Sequence, residues 1–157
     1  MENAGQISLY TAITAWATLV GGVMYSHIVY FPTYLSHLPA SNRLLTGEDG
    51  LHDAYFWMVI HPIAILATVA ALAFNWKLRM RRQHILITAG IYALAIVCTA
   101  IYFVPGLFEF ADSMKNPSVS PEEWYRRGQM WQHLSWIRGT AMYIGFLSLV
   151  RGLTKNS

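Results

Sequence analysis

The 157-residue chain holds a single cysteine, Cys98, so no disulfide framework supports it. Charge is scarce: Asp, Glu, Lys and Arg make up 12% of the residues, about half the share of an ordinary soluble domain. Too few charges remain to cover a water-facing surface. A disordered chain is excluded too, because disorder goes with abundant charge and few aromatic residues, and 14% of this chain is aromatic. No glycine-rich phosphate loop and no G-x-S-x-G turn occurs, which removes nucleotide-driven and serine-hydrolase chemistry. No HxxxH or ExxH pair occurs, so no local motif fixes a metal ion on one helix. The eleven basic residues stand against eight acidic ones and do not line a groove-reading helix, which leaves out nucleic acid as a partner.

What the chain has is long apolar runs. Crossing about 30 Å of hydrocarbon takes roughly 20 apolar residues as a helix. Four stretches meet that need: residues 7–31, 54–76, 85–108 and 122–150. The expected fold is an all-α integral membrane protein. A single four-span transmembrane domain covers residues 1–157, as a four-helix bundle running up-down-up-down. The first span carries no charge and is expected to stop at Pro32, which has no backbone N–H to continue the ladder. The fourth opens with about three polar turns, so only its later part lies deep in lipid. Residues 33–53 form the first loop, broken by Pro39, Gly47 and Gly50. Residues 77–84, KLRMRRQH, read as a tight basic turn, and residues 109–121 form the third loop. Ser120-Pro121-Glu122-Glu123 predicts a helix start: a capping serine, proline at the first position, and carboxylates at the positive end of the helix dipole.

Basic residues set the orientation. Lys77, Arg79, Arg81, Arg82, Arg151 and Lys155 fall on one side, and Arg43, Lys115, Arg126 and Arg127 on the other. Both termini are therefore expected on the cytoplasmic side of a bacterial inner membrane. With no basic residue before the first span, that span is not expected to be a cleaved signal peptide. Tyr30-Phe31-Pro32 and Tyr102-Phe103-Val104-Pro105 echo each other, each followed by a polar loop and an aromatic-rich helix start. That is the pattern of two hairpins in tandem, or of any membrane interface.

Polar residues inside apolar spans are costly and point to function. The candidates are His27, His61, Glu109, His133 and Arg138, all toward the loop side. Each also has a structural explanation. His27 could bond a nearby carbonyl, His61 could satisfy the kink at Pro62, and Glu109 could be an interfacial carboxylate. Trp57 and His61, four apart, share a helix face and could stack on one flat ligand. Arg138 is the strongest candidate, because a guanidinium keeps its charge and has to be paired, hydrated or turned outward. Helical spacing places Trp131, Ser135, Arg138, Met142 and Gly145 on one face, with Gln129, His133, Trp136, Thr140 and Tyr143 roughly opposite. His133 and Arg138 cannot both face the axis, and Arg138 is expected inward. Gly21, Gly22, Gly139 and Gly145 allow helices to approach closely.

Three chemistries follow. In the first, Arg138 stabilises the oxyanion of an enolate or phenolate and His61 acts as general base. Trp57, Trp131, Tyr102 and Met142 would then line a pocket for a hydrophobic aromatic or quinone-like molecule, making the protein an oxidoreductase or oxygenase. In the second, His27, His61, Glu109 and His133 supply ligands to iron or copper, or two histidines hold haem b. In the third, the protein is a non-enzymatic lipid- or small-molecule-binding module or an accessory subunit, with Arg138 paired to Glu109 or a headgroup. The expected partners are the lipid bilayer, a hydrophobic small molecule, and a homo-oligomer or larger membrane complex.

The stretch from Gly21-Gly22 through His27 to Pro32 resembles the anthrone-oxygenase-like membrane family, as does Trp131 to Arg138, a tryptophan and a polar centre before an arginine and small residues. Members are similar in size and have four predicted spans, and some fungal members oxidise anthrones to anthraquinones. The resemblance implies a four-span fold and a place in the site for Arg138 and Trp131. The basic turn and the His61-Pro62 pair do not match that family.

Overall fold

The computed structural model describes residues 2–47 and 50–155; positions 48 and 49 of the first loop lie outside the described residues. The chain is built of helices, and no strand occurs among the described residues. In order, α1 (Glu2–Tyr25) passes through a π-helical turn (Ser26–Tyr30) into α2 (Phe31–Leu35). A short α3 (Arg43–Thr46) precedes α4 (Ala54–Phe74). Then α5 (Arg79–Cys98) passes through a second π-helical turn (Thr99–Phe103) into α6 (Val104–Ala111), and α7 (Pro121–Gly152) closes the chain.

Three continuous rods, Asn3–Leu35, Ala54–Phe74 and Arg79–Ala111, are long and apolar enough to cross a membrane. Their outward residues include Ile28, Leu66, Val69, Leu94 and Ile101, all exposed. Water does not tolerate apolar faces of that size, but hydrocarbon does. The fourth rod, α7, has 32 residues, about 48 Å of helix. It is not among the rods that meet the apolarity requirement: its first two turns carry Glu122, Glu123, Arg126 and Arg127, and its later part is diluted by Gln129, Gln132, His133, Ser135 and Arg138.

Two expected boundaries are corrected. Pro32 does not end the first rod. The Phe31 N–H reaches back five residues to the Ser26 carbonyl. This wider turn relieves the clash that proline makes with the carbonyl four residues before it. The helix then runs on to Leu35. The same device recurs in the third rod, where Val104 N–H bonds the Thr99 carbonyl ahead of Pro105. The basic stretch 77–84 is not all turn either, because α5 begins at Arg79. The reversal is held by Asn75, fully buried, whose Nδ2 donates to the carbonyls of Gly5 (2.9 Å) and Ala71 (2.8 Å). Ser120 does cap α7, its Oγ accepting from Glu123 N–H at 3.2 Å.

The rods pack in a ring: α1 on α4, α4 on α5, α5 on α7, α7 on α1. Every join carries a side-chain hydrogen bond. Trp16 Nε1 donates to Thr68 Oγ1 (2.9 Å) between α1 and α4, and His61 Nδ1 pairs with the Tyr92 hydroxyl between α4 and α5. Thr88 Oγ1 donates to the Gly145 carbonyl (2.8 Å) between α5 and α7. Ser135 meets His27 between α7 and the first rod. In lipid such bonds add to van der Waals packing at about 0.6 kcal/mol each. Glycines bring α7 close: a Cβ on Gly139 would stand 3.1 Å from Val23, and one on Gly145 would stand 3.6 Å from Ile91. Gly21 faces open space and plays no such part.

Candidate functional site

The two π turns and α7 build one polar centre. Pro32 and Pro105 each follow a π turn by two residues, and each turn presents a polar side chain to α7. The first turn offers His27. The second offers Thr99, together with the ring of Phe103. Facing them, Ser135 and Arg138 lie three apart on α7 and share a face.

Arg138 donates from Nη1 to Thr99 Oγ1 (2.6 Å) and from Nη2 to Ser135 Oγ (3.0 Å). Its guanidinium carbon lies 4.1 Å from the centre of the Phe103 ring, a cation–π contact strengthened by exclusion of water. No carboxylate pairs with it among the described residues, and its Nε is buried with no acceptor. A guanidinium held by two hydroxyls and an aromatic face keeps unspent capacity for an oxygen ligand.

The neighbouring imidazole is fully committed. The Val23 carbonyl can only accept, so His27 Nδ1 (2.7 Å away) carries the hydrogen. Nε2 is then the acceptor, and Ser135 Oγ–H donates to it over 2.9 Å. Hydrogen bonds therefore run one way, from Arg138 through Ser135 and His27 to the Val23 carbonyl. Ser135 is fully buried, so it links these groups rather than meeting a substrate.

Arg138 also lines a groove of about 390 Å³ between α5 and α7, walled by Ile91, Leu94, Cys98, Tyr102 and Leu134. This volume is within the range of small-molecule sites. A second groove of about 390 Å³ lies toward the loop end, beside Gly106, Glu109, Arg126, Arg127 and Trp131. Ile101 and Tyr102 wall both grooves. At the mouth Glu123 bonds Arg126 (2.8 Å) and Arg127 (2.8 Å). Hydrogen bonds from these two guanidiniums hold its carboxyl down at about 2.

The sequence candidates divide. Arg138 and His27 meet through Ser135. Tyr102 walls both grooves and Trp131 walls the outer one, its Nε1 donating to the Phe103 carbonyl (3.1 Å). His61 lines neither groove. It lies half-buried against Tyr92, with ring centres 5.9 Å apart, and against Trp57 at 5.7 Å. Trp57 and His61 do share a face, but they pack on each other, and Trp57 Nε1 is tied to Asp53 Oδ2 at 3.0 Å. Met142 is buried in the core and lines neither groove.

The metal set is not brought together. Among the described residues no three His, Cys, Asp or Glu side chains gather as metal ligands would. Glu109 turns to Arg127, not to Arg138 as one reading had it, and His133 points outward and is exposed. A bis-histidine haem would need a ring nitrogen that His27 has already given to Ser135 and Val23. Sequence reasoning passed over Thr99, Phe103 and Tyr92. Ser135 shares the Arg138 face by helical spacing, and that spacing of three is the available signal that it bonds the guanidinium.

Comparison of the chain with protein-family models, with curated proteins and with solved structures gave no match in any of the three.

Proposed function

We propose that the protein is a membrane-embedded binding protein for a flat, apolar, oxygen-bearing aromatic molecule of quinone-like chemistry. The groove between α5 and α7 takes the ring system, and Arg138 takes its oxygen. The molecule is a four-span bundle in a bacterial inner membrane, running up-down-up-down with both termini cytoplasmic. Here α7 is the fourth span, its first turns standing clear of the hydrocarbon. The groove opens sideways to lipid, so a greasy ligand enters without crossing water.

One observation carries this reading. Arg138 lines an apolar groove, lacks a carboxylate among the described residues, and keeps a buried Nε without an acceptor. Leaving such a donor unpaired costs about 1–3 kcal/mol. A carbonyl, enolate or phenolate oxygen would satisfy it once the side chain turns toward the groove, and an enolate or phenolate would also balance the charge. Turnover as an oxidoreductase or oxygenase, the activity of the anthrone-oxygenase-like family, adds the need for a base. His27 has both ring nitrogens engaged. His61 keeps Nε2 without a partner among the described residues, and Arg138 lies within Coulombic reach of it. Because His61 stands outside both grooves, binding is the better supported function and catalysis the second reading.

The test is equilibrium binding of 1,4-naphthoquinone and 2-hydroxy-1,4-naphthoquinone to the purified chain in nanodiscs, followed by tryptophan quenching. Arg138→Met should weaken binding about tenfold or more, and Ala141→Phe, which fills the groove, should abolish it. Unchanged affinity in both variants would sink the assignment. Turnover that depends on His61 would favour the catalytic reading.

A further inference from the structure

We propose that the face formed by the α4–α5 turn and the end of α7 is a seat for the headgroups of anionic phospholipids. This rests on the membrane placement of the helices and not on the occupant of the groove.

The chain is sorted by charge along its length. Asp53, Glu109, Asp112, Glu122 and Glu123 all lie at the loop end, and the four ion pairs among the described residues are all there. The opposite end has Lys77, Arg79, Arg81, Arg82, Arg151 and Lys155, with Glu2 as its one acidic residue in sequence. Lys77, Arg79, Arg82, Arg151 and Lys155 have no carboxylate partner among the described residues.

Local structure gathers these cations onto one face. Arg81 Nε donates to the Lys155 carbonyl (2.7 Å) and Nη1 to Asn75 Oδ1 (3.2 Å). His84 and Ser148 hydrogen-bond at 3.1 Å, so the end of α7 lies against the start of α5. Trp76 stands exposed at the rim. Arg82 donates to its carbonyl (3.0 Å) and lies 5.1 Å from its ring. Phe74 is exposed beside it.

Like charges packed this closely repel one another. Two of them, Arg79 and Arg82, also occupy the first turn of α5, at the positive end of its dipole, with Leu78 as N-cap and no acidic residue in that turn. An anion there would offset both the repulsion and the dipole. The source follows from position: the cations stand at the ends of helices of membrane-spanning length, where the phosphate layer of a bilayer would lie, beside the exposed Phe74 and Trp76. Lys and Arg at that height draw anionic lipids, and tryptophan anchors the interface.

The experiment uses the full chain in nanodiscs of phosphatidylcholine, alone or with a third replaced by phosphatidylglycerol. The melting temperature should rise by about 5 °C in the anionic discs. The triple variant Lys77→Gln, Arg79→Gln, Arg82→Gln should lose most of that rise, while Lys115→Gln with Arg126→Gln at the other end keeps it. Equal melting in both discs would overturn the proposal. So would equal loss from the loop-end variant, or inorganic phosphate reproducing the rise in neutral discs. Should the triple variant not fold, native mass spectrometry of the unaltered chain decides. Retention of phosphatidylglycerol over phosphatidylcholine from an equimolar mixture supports the seat, and equal retention removes it.

Discussion

In the first hairpin, α1 and α4 interlock through aromatic side chains. Gly22 admits the Phe56 ring, Trp16 bonds Thr68, and Trp57 lies on His61. In the second, α5 and α7 meet along small residues and an arginine, and a groove stays open between them. The long rods of both hairpins carry a π turn ending two residues before a proline. Both π turns face α7, so whether a helix pair closes or leaves a groove is set by the side chains along the rest of its seam. From α4 come aromatic rings that fill the space. From α7 come Ser135, Arg138 and Ala141, which leave it.

This contrast can be broken most severely on the sealed side. Trp16→Ala should cost about 3–5 kcal/mol in a dodecyl sulfate unfolding titration, since it removes a fully buried indole and its bond to Thr68. A cost below about 1 kcal/mol would mean the first hairpin is not packed as described. Next comes Gly106→Ala. The new methyl would stand 2.8 Å from Trp131 Cδ1, and that indole is buried and tied to the Phe103 carbonyl. Overpacking of this kind costs about 1–3 kcal/mol, and Trp131 fluorescence should shift with it.

On the open side the expected stability change is smaller. Arg138→Met should alter unfolding free energy by less than about 1 kcal/mol, because Ser135 keeps His27 and Thr99 keeps the Ala95 carbonyl. Strong destabilisation in the same titration would make Arg138 a structural strut and remove its role as a ligand group. The smallest effect is at the groove mouth. The Glu123 carboxyl is held at about 2, below the roughly 4.3 of an unfolded chain. Its contribution is present above the unfolded value and is lost as pH falls toward 2. Glu123→Gln should flatten acid destabilisation between about pH 4 and 2, and about 1 M salt should do the same to the parent chain.

Much of the fold was legible because it follows from local rules. The apolar runs marked three of the rods, and Ser120-Pro121 marked the start of the fourth, α7. Pro32 misled because proline ordinarily ends a helix, and the π turn that accommodates it leaves no pattern in composition. The basic stretch misled because arginines at the start of a helix oppose its dipole; here Asn75 and the Lys155 carbonyl hold Arg81 from other elements. Arg138 was legible as an isolated charge among apolar residues. Apart from Ser135, its partners were not, since Thr99 and Phe103 come from a rod distant in sequence and face α7 from within the widened turn. His61 drew attention through its proline, yet its ring bonds Tyr92 away from both grooves.

A consequence for biogenesis lies in the guanidinium of Arg138. Placing arginine midway in a lone helix costs about 2.5–3.5 kcal/mol on insertion scales, and α7 is not apolar enough to offset that readily. Thr99, Phe103 and His27 belong to segments synthesised earlier. In the four-span arrangement proposed above, α7 would enter a bilayer where its receptors already stand, and the chain order that delivers them first would double as an assembly schedule.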